Sequence, residues 1–197
     1  MRDHLFHFYK VRLVGQNLFF PNVLFFDGDS VFNPSQEFVA SLKDTKAAQD
    51  FDLLVNKPSK VYEQSLFYFV YNFDNYFHFL YDCLPYLIEY REIKKTITEL
   101  KLLVNYPNPS KREFYKFNLE LFELLGITES DFVFASSDTL YSSIYVSETL
   151  TYREPVDSRV FNIYNELILK TKSLKPFLKT PKKFYISRRT WLNGDSS

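Results

Sequence analysis

The chain has 197 residues, enough to bury the core of one ordinary domain. Its 24 Lys and Arg balance 24 Asp and Glu to a formal net charge of zero, so no global field draws it to nucleic acid or an anionic membrane and any electrostatic site is local. The single cysteine, Cys83, excludes an intrachain disulfide and a multi-cysteine zinc site, and four scattered glycines exclude the loops GxxxxGKS/T and GxGxxG and the GxSxG nucleophile elbow.

From His4 to Val14 the alternation predicts a strand, with Leu5, His7, Tyr9, Val11 and Leu13 on one face. NVLFFDGDSVF (22–32) places two β-rich runs around Asp27-Gly28, the signal of a tight hairpin whose turn needs positive φ. After a weakly patterned stretch at 36–56, VYEQSLFYFVYNF (61–73) predicts a strand. Residues 75–92 then read as a helix and LKLLVNYP (100–107) as a short buried strand. PSKREFYKFNLELFELLGI (109–127) reads as a helix capped by Ser110 with Glu113, with Phe114, Phe117, Leu121 and Leu124 on one face and Gly126 as its stop. DFVFAS (131–136) is the following strand, and TLYSSIYVSETLTY (139–152) adds one or two short strands or an extended link. A last helix at 156–173 shows Phe161, Tyr164 and Ile168 at helical spacing, and it leads through the Lys/Pro-rich KTKSLKPFLKTPKK into KKFYISRR (182–189), the start of a new strand.

Strand, helix, strand, helix, strand is the pattern of a doubly wound α/β half with a parallel sheet and crossover helices, behind a β-rich N-terminal segment. The expected division is an α/β domain over 1–155, a connecting helix and linker over 156–181, and the start of a second, truncated domain over 182–197.

Two segments carry chemistry-bearing side chains. In NYFHFLYDCLPYL (75–87), helical spacing aligns Asn75, His78 and Asp82 in a polar stripe beside an apolar stripe of Phe77, Leu80, Leu84 and Leu87. Asn75 is a natural N-cap, and His78 with Asp82 suits a general base whose tautomer a carboxylate holds. The same spacing fits a structural His–Asp pair packed among aromatic rings. Pro85 has no N–H for the carbonyl of Tyr81, so the helix is expected to kink there and open that turn to other contacts. The second segment is basic: between Leu167 and Gly194 stand eight Lys and Arg and no acid. Arg188 and Arg189 follow a strand end, and guanidinium forks match phosphate oxygens; a solvated basic linker is the plain alternative. Asp27-Gly28-Asp29 has the DxD form of a metal-binding pair, but its position assigns it to turn chemistry. His4 and His7 fall on opposite faces of a strand and share no metal.

Together, NFDNYFHFLYDCLPYL and KKFYISRR resemble the glycosyltransferase family 61 group, whose members carry an Asn-x-x-His-Phe/Trp-Leu-x-Asp-x-Leu-Pro block and a later Tyr-Ile-Ser-Arg block. The resemblance implies a GT-B architecture of two Rossmann-like halves, with inverting sugar transfer from a nucleotide-sugar donor to a glycan acceptor, as in surface polysaccharide biosynthesis. It implies no cofactor and no DxD-bound metal. His78 or Asp82 would take the acceptor proton, Asn75 would support them, and Ser187, Arg188 and Arg189 would meet the donor phosphates. The family continues past its Ser-Arg block through a full second half that builds most of the donor site, whereas here TWLNGDSS alone follows. With no export signal in MRDHLFHFYKVRLVGQ and no run of about 18 apolar residues, the expectation is a cytoplasmic protein without a transmembrane segment or a nucleic-acid partner. The alternative is a noncatalytic interaction domain with a basic, anion-binding tail.

Overall fold

The computed structural model describes residues 4–14, 18–20, 24–28, 30–42, 60–70, 75–106, 113–151 and 156–174. The predicted first strand is β1 (Leu5–Val14). Within it Lys10 takes φ 53, a left-handed conformation that shifts the alternation by one place. Val11 and Leu13 are buried as expected, but Phe8 replaces His7 and Tyr9 on the inner side, and Tyr9 is 63% exposed. β1 also changes partner near this bend. Its first part lies antiparallel to β8 (Thr139–Ser147), whereas Arg12, Leu13 and Val14 pair with β2 (Leu18–Phe20).

β3 (Leu24–Phe26) and β4 (Val31–Phe32) complete an antiparallel meander. Their turn falls at the predicted hairpin but one place later: Phe26 pairs with Val31, and Asp27 flanks the turn rather than lying inside it at positive φ. Gly28 has φ 98, the Asp27 N–H bonds the Ser30 carbonyl at 3.3 Å, and the Ser30 N–H bonds Asp27 Oδ1 at 2.7 Å. Asp29 lies outside the described residues.

Beyond β8, β5 (Lys60–Phe69), β6 (Lys101–Val104) and β7 (Phe132–Phe134) are all parallel, giving an eight-stranded mixed sheet in the order β4-β3-β2-β1-β8-β5-β6-β7. The order reverses at β5: β6 and β7 run out on one side and β8 returns on the other. Residues 139–152 are expected as one or two strands or a link; the described ones, 139–151, contain the single strand β8. Leu66, Phe67, Tyr68 and Phe69 are all buried, as a strand covered on both faces requires. Phe67 meets Tyr90 and Phe69 meets Phe122 on the helical side, at ring separations of 5.9 Å. Tyr68 meets Phe19 and Phe26 at 5.5 and 5.6 Å, so the meander folds over the opposite face. Each such fully buried aromatic ring contributes about 2–3 kcal/mol of transfer free energy.

The helices are α1 (Gln36–Leu42), α2 (Tyr76–His78), α3 (Leu87–Lys94), α4 (Lys116–Leu124) and α5 (Arg159–Leu174). α4 is shorter than the predicted 109–127 helix. Tyr115 is extended and caps it, with Asn118 Oδ1 accepting the Tyr115 N–H at 3.2 Å; Glu113 precedes the helix, and Ser110 is outside the described residues. The predicted stop holds: Gly126, at φ 75, donates to the Glu123 carbonyl and Ile127 to that of Phe122, both at 2.9 Å. On α5 the buried stripe is Val160, Ile163 and Leu167, while Phe161 and Ile168 are 57% and 50% exposed. Apolar residues occupy several sides of this helix, so periodicity alone did not choose the inner one.

Candidate active site

The segment after β5 opens with Asn75, whose Oδ1 accepts the N–H groups of Phe77 at 2.9 Å and His78 at 3.3 Å. That is the N-cap the sequence predicts. α2 then passes into a π-helical turn, Phe79–Cys83, and a 3-10 turn, Leu84–Tyr86, before α3 begins. Pro85 explains the irregularity, because it lacks the N–H that would close the turn and its ring crowds the preceding carbonyls. The Leu84 N–H bonds Phe79 rather than Leu80. The Leu80 carbonyl instead accepts the Tyr164 hydroxyl at 3.0 Å, and the Tyr81 carbonyl accepts the Thr151 hydroxyl at 2.9 Å. The expected opening of this turn is therefore filled by side chains from α5 and from the segment after β8.

The changed winding also moves the buried face. Phe79, Cys83, Leu84, Tyr86, Leu87 and Tyr90 are buried, whereas Phe77, predicted to lie in the apolar stripe, is 59% exposed. Burial pushes the Cys83 thiol well above its ordinary range, which marks it as a core residue rather than a nucleophile.

His78 and Asp82 remain adjacent across this winding. Nδ1 of His78 lies 2.6 Å from Oδ2 of Asp82, with the imidazole half exposed and the carboxylate three-quarters buried. In the neutral ring, Nδ1 donating to the carboxylate leaves the Nε2 lone pair as the acceptor. The pair follows the C-terminal end of β5, next to the strand-order reversal, the usual place for ligands in open α/β sheets. Phe77 stacks on Tyr81 beside it, at 5.5 Å and 14°, and meets the imidazole edge-on at 5.7 Å.

The hairpin turn reaches this region too. The Gly28 carbonyl accepts the Tyr86 hydroxyl and the Thr149 N–H, both at 2.9 Å. Asp27 is engaged in its turn, and among the described residues no group of three or more His, Cys, Asp or Glu is placed to hold a metal ion. His4 and His7 go to different partners. His4 Nε2 bonds Glu89 Oε1 at 3.0 Å, and His7 Nε2 bonds Ser143 Oγ at 2.8 Å, burial pushing His7 below its ordinary range.

Glu89 is a residue the sequence reading missed. Its side chain is buried, and Oε1 also accepts from Arg159 Nη1 at 2.6 Å. Nε of Arg159 in turn bonds both oxygens of Asp157, at 3.0 and 3.1 Å. Contacts 70 and 85 residues apart in sequence leave no local pattern. Ser187, Arg188 and Arg189 lie outside the described residues.

The fold and site thus define a mixed α/β protein with an exposed, carboxylate-oriented histidine at the carboxyl end of a parallel strand. No family model, curated protein or solved structure matches the chain.

Proposed function

We propose that the protein is a glycosyltransferase of family 61 type, with 1–155 as the acceptor-side, Rossmann-like half of a GT-B architecture, 156–181 as connecting helix and linker, and 182–197 as the start of the donor-side half. The observation that carries this reading is the 2.6 Å His78–Asp82 pair, falling within the first of the two sequence blocks and beside the strand-order reversal. Nε2 of His78 takes the proton of an acceptor hydroxyl as its oxygen attacks the anomeric carbon of a nucleotide sugar. The bond from that carbon to the diphosphate breaks, the nucleoside diphosphate leaves with the electron pair, and the configuration inverts. Asp82 offsets the charge gained by the imidazole. Arg188, Arg189 and Ser187 offset the charge on the departing diphosphate, so no metal is needed in the step.

No helix of the described residues is long and apolar enough to cross a membrane, and the reading places the protein in the cytoplasm, building a surface polysaccharide. A screen of nucleotide sugars for acceptor-dependent release of nucleoside diphosphate tests it. Release with one donor class supports the reading, and none with any donor, at millimolar protein and with all downstream coding sequence present, sinks it.

A noncatalytic interaction domain is the second reading. It is favoured by Phe161, Ile168 and Leu169, exposed on one side of α5. Calorimetric titration with nucleoside diphosphates separates the two, since an interaction domain gives no saturable heat.

A further inference from the structure

Three large aromatic residues stand exposed within six positions of each other: Tyr76 at 56%, Phe77 at 59% and Tyr81 at 36%. Two of them form a built feature. Phe77 and Tyr81, one helical turn apart, lie nearly parallel at 14° with ring centroids 5.5 Å apart, an offset stack in which Phe77 is the more exposed ring. Both backbones are fixed by side chains from outside the turn's own ladder. The Phe77 N–H is held by Asn75 Oδ1 at 2.9 Å, and the Tyr81 carbonyl by the Thr151 hydroxyl at 2.9 Å. The imidazole of His78 lies beside this stack, its ring centroid 5.7 Å from that of Phe77.

We infer that the Phe77–Tyr81 stack is the acceptor platform, on which a pyranose ring lies with its C–H face against the exposed Phe77 ring and a hydroxyl turned toward Nε2 of His78. The inference rests on the proposed sugar transfer and adds the acceptor's chemistry and the residues that receive it. An aromatic face carries partial negative charge and attracts the polarised C–H bonds of a sugar. A pyranose with every substituent equatorial presents an unbroken face of axial H1, H3 and H5, so a β-glucoside seats better than an α-mannoside, whose axial anomeric methoxyl projects from that face. A nucleobase also stacks on aromatic rings, but it carries no hydroxyl for the neighbouring base to deprotonate. Nδ1 is already engaged by Asp82, so a proton acceptor remains only at Nε2.

Saturation-transfer NMR on the whole chain tests this with methyl β-D-glucopyranoside, methyl α-D-mannopyranoside and uridine diphosphate as probes. The expected result is saturation of the axial H1, H3 and H5 protons of the glucoside. Phe77→Trp retains it, and Phe77→Ala reduces it by about fivefold or more, the scale of one lost aromatic contact. Unchanged saturation in Phe77→Ala, no saturation of the glucoside in the wild type, or saturation of the uracil protons that Phe77→Ala removes each overturns the platform. Unchanged thermal melting confirms that Phe77→Ala is folded, as expected for an exposed ring. The two readings fail separately. Turnover that Phe77→Ala leaves intact removes the platform and keeps the transferase, whereas Phe77-dependent glucoside binding without turnover on any donor keeps the platform and removes the transferase.

Discussion

Replacing Arg159 with alanine withdraws a cation from a carboxylate that cannot reach water. Glu89 is 0% exposed, and Arg159 Nη1 meets it at 2.6 Å, the shorter of its bonds to Arg159 and His4. Breaking a buried pair from one side costs about 3–5 kcal/mol, and because the arginine is 31% exposed the expectation is the lower end, about 3 kcal/mol. A second effect concerns Asp157, whose carboxyl the Arg159 hydrogen bonds hold down to about 2. A depressed carboxylate adds stability that is present above its unfolded value near 3.9 and is lost as pH falls through the folded value. After solvent screening this amounts to about 1 kcal/mol or less. Urea unfolding followed by circular dichroism at pH 7 should give a loss of about 3–4 kcal/mol for Arg159→Ala. The wild type should weaken between about pH 4 and pH 2, and the variant should show less of that slope. A loss under about 1 kcal/mol at pH 7, or identical slopes, would refute the reasoning.

Tyr164→Phe removes the hydroxyl that satisfies the Leu80 carbonyl and should cost about 1–2 kcal/mol by thermal or urea unfolding. Burial pushes that phenol up to about 12, so the variant should also lack a late step in an ultraviolet alkaline titration. Thr151→Val should cost about 1–2 kcal/mol through the Tyr81 carbonyl, and because both hydroxyls clamp one irregular turn the double variant should depart from additivity in a double-mutant cycle. Asn75→Ala should cost about 1 kcal/mol as a lost N-cap, with Asn75→Ser restoring most of it.

Local chemistry carried the elements well. The Asp27-Gly28 turn, the Asn75 cap and the Gly126 stop each follow from one residue's conformational or hydrogen-bonding preference, and each is present. Pro85 also announced an opened turn, but not what fills it, since Thr151 and Tyr164 are far away in sequence. Phase was the recurrent failure. Lys10 at positive φ moved β1 by one place, and the π and 3-10 turns moved Phe77 out of the apolar stripe, because a period of 2 or 3.6 presumes unbroken winding. The sheet itself was half legible. Apolar runs at 66–69 and 102–104 announced buried parallel strands, whereas the folding of β2 and β3 over Tyr68 depends on the bend in β1. Within the site, the His78–Asp82 contact was visible as an i, i+4 spacing; the Phe77–Tyr81 stack has the same spacing and was hidden by the assignment of Phe77 to the apolar stripe.

The most direct test of the account is acceptor-dependent sugar transfer by the wild type and by His78→Ala, measured with all downstream coding sequence present and with melting temperatures compared. A general base supplies about a hundredfold to ten-thousandfold in rate, so the account predicts a loss of at least about a hundredfold at unchanged stability. Equal turnover in the two proteins would contradict it.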